Sequence, residues 1–475
     1  MWRFSLNFDA DYSAILPAPR LPGMRMRSRP PANQARKPTS DMPEVLRKVL
    51  HYYRVFKDTS KLQGRAYAFK RSAAFISTRL RARMGQRRIG EIRRTDAAKD
   101  IIRLVSTLPK APTARPLLLI ISDLQIRQCI HYRVDQKLRV LESIGVKAQF
   151  VRPDEIGHVA SLLPFAGTVI IYRTVVPAKQ IEEMKAAGIR VIFEFDDLVV
   201  GAEAVRKSGI LGEITDNQGK NLCQLADQFL ATAQLCDEII VSTDFLGQLY
   251  ERPAHGLAGK PIHVIPNFLE RDCDAAEQGM VWTFAYTTPS GSIRSELEML
   301  KAFLRSYDAV VDHSWSILVM GNPLAATELT QAGFQRGRIE TLPFAEYDDY
   351  IQRIGSAGCV LIPLSDTPFN ASKTPIRAMD AALAGTTAIF SPVGAFAQIH
   401  KELNSHALTV DHEDWSGAGT YAGSVFEARD IYVRGLQRAV NKLYGPQTAR
   451  QSYHDLFVER FGLPACEASK TEWSA

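Results

Sequence analysis

Asn370, Lys373, Thr374 and Arg377 stand together in the stretch NASKTPIR, beside a helical pattern through Ile376, Met379, Ala382 and Leu383. Two cations and two neutral hydrogen-bonding groups at a helix start make a site for a phosphate or diphosphate. Asp380 follows on the same helix and offers an ionised acceptor for a ligand hydroxyl. A second constellation is Asp196-Asp197, at the end of the apolar run VIFEF, where paired carboxylates can orient or deprotonate a hydroxyl. His131 and Arg133 come after an early strand and its loop, and fit either a second-substrate face or a structural role. Plainer readings stand beside the first two: a solvated basic helix start, and carboxylates that only cap the next segment.

The elements that would position these residues alternate between strand and helix. The run Cys359-Val360-Leu361-Ile362, bounded by Gly358 and Pro363, reads as a fully buried parallel strand. A loop with Asp366, Pro368 and Asn370 follows, then the helix closed by Gly385, then a strand opening at Ala388. The segment from Arg338 toward Gly355 reads as a helix leading into this unit. Upstream, strands are expected at 117–121, 147–151, 168–172, 191–195, 238–242 and 263–267. A second series opens at 281–286 and continues at 316–320. Such alternation means α/β architecture, two tandem Rossmann-like doubly wound domains, with ligands outside the carboxyl ends of the strands.

Charge divides the chain unevenly. Residues 1–110 hold 25 Lys and Arg against 8 Asp and Glu, a net +17, whereas the rest holds 33 against 43, a net −10. Residues 1–42 are Pro- and Arg-rich without a sustained period, and are expected to be a disordered leader. Residues 43–110 carry two apolar stripes flanked by Lys and Arg, and are expected to form a basic, partly helical extension. That extension fits an anionic membrane surface, contacted through residues 43–105, and equally a helical hairpin packed on the body. Nucleic acid is not expected as a partner, since no recognisable binding module accompanies the charge. Domains are expected at 111–269 and 280–440, joined by a polar linker, with a C-terminal helix over 441–475 packing back across both. The six scattered cysteines contain no CxxC pair, which speaks against structural zinc and a disulfide scaffold. With no spanning run or secretory signal, a cytoplasmic location is expected, peripheral on the inner face of the membrane if the extension binds lipid.

Several of these segments together resemble the GT-B glycosyltransferases, in particular those of the glycosyltransferase family 4 type. They are Cys236 to Thr243 with Val264-Ile265-Pro266-Asn267, the Asp380-Ala381-Ala382-Leu383-Ala384-Gly385 segment, and Pro343 to Tyr347 before a helix and strand. The family's paired glutamates would fall on Ser372 and Asp380, so only the second keeps a carboxylate. The Asn370 to Arg377 loop, Tyr172-Arg173 and Phe193-Glu194-Phe195-Asp196-Asp197 are similar to a sub-branch that lacks the first glutamate.

The resemblance implies transfer of a hexose or deoxyhexose, with retention, from a nucleotide-diphosphate-sugar to a saccharide or lipid-linked saccharide in surface polysaccharide biosynthesis. The first domain would bind the acceptor and the second the donor. Catalytic roles would fall to Asp196, Asp197, Lys373 and Arg377. Donor contacts would come from Gly291, Pro343, Phe344, Tyr347, Asn370, Lys373, Thr374, Arg377 and Asp380, and acceptor contacts from Arg127, His131, Arg133 and Arg173. No cofactor and no metal are called for, because Lys and Arg can carry the charge work. An epimerase or another nucleotide-sugar enzyme, or a non-catalytic sugar-nucleotide-binding protein, are the competing readings.

Overall fold

A computed structural model describes residues 115–124, 127–153, 161–274, 282–288, 294–343, 345–403, 408–411 and 414–464. The leader and basic extension expected at 1–110 lie outside the described residues, as do Gly291, Phe344, much of the linker and the last residues of the tail.

The run Leu117-Leu118-Leu119-Ile120-Ile121 is buried on both faces, so it can only be an inner strand of a covered parallel sheet. This is β1, and the sheet around it is completed by β2 (Ala148–Val151), β3 (Ala166–Tyr172), β4 (Arg190–Phe195), β5 (Glu238–Val241) and β6 (Ile262–Val264). The six strands are parallel in the order β2-β1-β3-β4-β5-β6, with Ile120 level with Phe150 on one side and Ile170 on the other. Helix α1 (residues 127–143) covers β1 and contains a π-type segment, His131–Asp135. Helix α2 (Asp216–Leu235) starts at a capping box in which Thr215 and Gln218 satisfy each other's backbone N–H.

The second sheet holds β7 (Thr283–Thr287), β8 (Trp315–Met320), β9 (Gly337–Leu342), β10 (Cys359–Ile362) and β11 (Thr387–Phe390), parallel in the order β11-β10-β7-β8-β9. Its helices include α3 (Arg294–Val310), α4 (Tyr347–Gly355), α5 (Ile376–Leu383) and α6 (Trp415–Glu427). Phe284, Phe303, Tyr307, Trp315 and Phe426 form an aromatic cluster that binds β7, β8, α3 and α6 into one core. The fold class expected from sequence, two tandem Rossmann-like α/β domains, is the one observed. One strand differs from expectation: β9 occupies the start of a segment read as helical. Its residues are half-exposed at the sheet edge, so no unbroken apolar run marks it.

The chain's end joins the two lobes. Helix α7 (Arg429–Tyr444) packs on α5 in the second lobe, and α8 (Pro446–Tyr453) packs on α1 in the first. Tyr453, Leu456, Phe457, Phe461 and Leu463 then enter the first lobe's core beside Leu118, Ile120 and Ile170. The tail is therefore three segments from 429 to 460, and the expected boundary at 441 falls inside α7. No helix among the described residues is long and apolar enough to cross a membrane.

Candidate functional site

Strand order reverses between β7 and β10 in the second sheet, so the connections leaving these neighbouring strands diverge and open a crevice at their carboxyl ends. The connection after β7 leads into α3, and that after β10 carries residues 363–375 into α5. Side chains from both meet here. Lys373 Nζ lies 3.5 Å from Glu296 Oε1, and Arg377 forks onto the same carboxylate at 3.3 and 3.4 Å. Glu296, in the first turn of α3, is 0% exposed and also accepts from the Tyr286 hydroxyl at 3.2 Å. Lys373 and Arg377 keep 19% and 17% of their side-chain surface, so they form the outer layer over a buried anion. Burial would raise the Glu296 carboxyl, but Arg377 and Lys373 outweigh it and hold it below its ordinary range.

The loop itself is built differently from a simple helix start. Thr367 caps a short helix, Pro368–Ala371, and α5 begins only at Ile376. The N–H groups of Ser372 and Lys373 donate to Pro368 O and Asn370 O, so both are spent within the loop. Asn370 is buried, and its amide donates to Ser365 O at 2.9 Å and Ser365 Oγ at 3.0 Å. It shapes the loop from inside rather than facing the crevice. Thr374 Oγ1 accepts from Asn267 Nδ2 of the first lobe at 2.7 Å.

Asp380 is 1% exposed, and its Oδ1 takes the hydroxyls of Tyr347, at 2.9 Å, and of Tyr132 from the first lobe. Burial pushes its carboxyl up to about 6 against these hydrogen bonds and a further one from Tyr350, which favour the charged form. His131 stacks on Tyr347 with ring centroids 3.6 Å apart, and burial together with Arg139 lowers its pKa to about 4, so the ring is neutral. Pro343 is exposed at the end of β9.

On the first lobe, Asp196 and Asp197 follow β4 and share one cation. Arg173 Nη1 lies 2.9 Å from Asp196 Oδ1 and 2.8 Å from Asp197 Oδ2. Arg173 holds φ at +45°, a left-handed conformation unusual for a side-chain-bearing residue. Its guanidinium bridges the two carboxylates and keeps 13% of its side-chain surface. Asp197 keeps 30% of its side-chain surface. Burial and Asp196 raise its carboxyl, while Arg173 and Lys373 oppose them, which places Lys373 within electrostatic reach across the crevice.

Arg133 does not face the crevice. It is 0% exposed, paired with Glu194 and donating to Ile265 O at 2.8 Å and Asn267 Oδ1 at 3.3 Å. Lys137, one turn on, meets the same Glu194 and is lowered to about 8 by burial. The expected acceptor contact at Arg133 is therefore replaced by an ion cluster in the first lobe's core, since β4 carries a fully buried glutamate that needs cations. Arg127 opens α1. Sequence reasoning missed Glu296 and Tyr132. A first-turn glutamate reads as an ordinary helix-terminus charge, and nothing local marks either partner, since Tyr132 and Asp380 lie far apart in the chain.

The lobes close on each other through these groups and through Thr243 Oγ1 to Ser372 O, Phe369 N to Ser208 O, and Ser295 N to Glu213 Oε2. Three cations (Lys373, Arg377, Arg173) thus meet three carboxylates (Glu296, Asp196, Asp197) where the carboxyl edges of the two sheets face each other. Such a layered arrangement can bind a phosphate-bearing group on one wall and place a hydroxyl against a carboxylate on the other.

No protein-family model matches the chain, and no curated protein sequence matches it. Several solved structures are similar to it. A glycosyltransferase from Rickettsia africae ESF-5 superposes with a TM-score of 0.48 at 10% identity, over 72% of this chain and 98% of that one. Anabaena HepE in complex with UDP-glucose gives 0.45 at 11% identity, over 72% and 99%. An S. aureus TarM mutant in complex with fondaparinux, alpha-GlcNAc-glycerol and UDP gives 0.43 at 11% identity, over 61% and 55%. The chain spans about half the length of TarM and nearly all of the other two.

Proposed function

We propose that the chain is a glycosyltransferase that moves a hexosyl or deoxyhexosyl group from a nucleotide-diphosphate-sugar to a saccharide or lipid-linked saccharide, with retention, in surface polysaccharide biosynthesis. The observation that carries this reading is the convergence of Lys373 and Arg377 at the β7/β10 crevice, opposite Asp197. In this reading the second lobe takes the donor and the first takes the acceptor. Lys373 and Arg377 stabilise the diphosphate as negative charge grows on it, the preorganised electrostatic contribution that is usually the largest in such chemistry. Asp197, held by Arg173, orients the acceptor hydroxyl, whose proton passes to the departing diphosphate oxygen on the same face of the sugar, so that configuration is retained. Asp380 exchanges a tyrosine hydroxyl for a donor hydroxyl. The basic residues 43–105 carry the enzyme to the anionic cytoplasmic face of the membrane, where a lipid-linked acceptor would be found.

The test is turnover. The full chain is incubated with UDP-, GDP- and dTDP-sugars and a panel of saccharide and lipid-linked acceptors, and nucleoside diphosphate release is followed. Release from one donor that depends on an acceptor is expected. Donor turnover that ignores every acceptor and leaves an isomerised sugar would replace transfer with epimerisation.

A further inference from the structure

Glu296 is a carboxylate in a place where a diphosphate would be repelled, directly behind the two cations offered to it. Its burial is complete, and both of its oxygens are engaged, Oε1 by Lys373 and Arg377, Oε2 by Arg377 and Tyr286. Two cations this close repel each other, and each pays to leave water. A buried anion beneath them removes both obstacles and fixes the planar guanidinium by a two-point fork.

We propose that Glu296 is the positioning residue of this site: its buried carboxylate clamps Lys373 and Arg377 into one fixed pair and keeps Lys373 cationic before any ligand arrives. This deepens the glycosyl-transfer reading and rests on it. Glu296 touches neither sugar nor phosphate, so it acts only through the two side chains it holds.

The charged and titratable groups facing Lys373 are Glu296 from α3, Arg377 from α5 and Asp197 from the first lobe, with the Phe369 ring 4.9 Å away. Burial drives the Lys373 ammonium down and Arg377 adds to this, while Glu296 and Asp197 oppose it. Asp197 is already paired with Arg173, which leaves Glu296 as the main countercharge. Glu296→Gln keeps the shape of the side chain and removes the charge. Lys373 then loses its proton at a lower pH, and donor affinity falls as pH rises through that point. Lys373→Arg added to Glu296→Gln restores the flat profile, because a guanidinium does not titrate in this range.

The measurement is the dissociation constant of UDP-glucose, or of GDP-mannose or dTDP-glucose if one of these is the sugar nucleotide that binds, from about pH 6 to about pH 9. These diphosphate diesters carry constant phosphate charge over that interval. Wild type should keep its affinity to higher pH than Glu296→Gln, which should lose at least about tenfold across the range, and the double variant should be flat. Melting curves at each pH confirm the fold. If Glu296→Gln does not fold, Glu296→Asp is used, and its affinity should fall at a lower pH than wild type's. A variant weakened by the same factor at every pH, or not weakened at all, overturns the proposal, since a purely structural glutamate would behave that way. If wild type binds none of the three, the glycosyl-transfer reading fails first and the triad is only a structural ion cluster.

Discussion

Lys373 faces two carboxylates in different lobes, Glu296 and Asp197, and that sharing gives the opposite wall a testable role. Asp197→Asn should lower turnover by about 10²-fold or more, the scale of a misplaced reacting hydroxyl. Donor affinity should stay unchanged or tighten, because an anion facing Lys373 has gone; parallel kinetics and calorimetry separate the two. Weakened donor binding would move Asp197 to the donor's side. Asp380 offers a test through pH. A carboxyl with a raised folded-state pKa adds stability below its ordinary range and loses it as pH climbs through the raised value. With the folded value at about 6, wild type should lose on the order of 3 kcal/mol relative to Asp380→Asn between about pH 3 and about pH 7. Denaturant midpoints at each pH check this, and a constant difference between the two proteins would contradict it. At this scale, the sequence singled out Lys373, Arg377 and Asp197 because cations beside a helix and carboxylates at a strand's end have few uses; the structure gathers the two cations on Glu296, and their roles toward a ligand are those proposed above. Arg133 was misread because a core ion cluster depends on Glu194, and a buried strand glutamate looks no different from an exposed one until the sheet is assembled.

The elements carry the site by close approach as much as by hydrogen bonds. Gly394, in the turn after β11, has φ +56°, and a methyl group placed on it would overlap the carbonyl of Ala371. Gly394→Ala should therefore combine backbone strain with displacement of the loop that presents Lys373. A loss of roughly 1–3 kcal/mol in stability is expected, together with weaker donor binding. Equal donor affinity in the variant would mean that the loop is not held in place from this side. The π-type segment in α1 presents Tyr132 to the other lobe and Arg133 to its own core from consecutive positions. Inner strands such as β1 and β10 were readable from unbroken apolar runs, and Gly385 marked the end of α5. The edge strand β9 and the split between Pro368–Ala371 and α5 were not, because half-exposed residues and a proline-spaced turn satisfy helix and loop patterns equally well.

Across the whole molecule, the tail ties the lobes together while the side chains between them close the crevice. Helices α7 and α8 are joined by one extended residue, Gly445, so each lobe is anchored to the other at a point far along the chain from the 363–375 loop. The proposed membrane contact of residues 43–105 is tested by truncation. Removing residues 1–105 should release the protein from anionic vesicles and leave donor binding in solution intact; retained vesicle binding would assign membrane contact to the body instead. The central claim is that Lys373 and Arg377 receive the diphosphate of a sugar nucleotide, and a thermal-shift screen tests it most directly. Wild type should be stabilised by one of the UDP-, GDP- or dTDP-sugars, by about 2.7 kcal/mol at a hundredfold excess over Kd, and Lys373→Ala should abolish that stabilisation. A mutant that shifts as far as wild type would contradict the account.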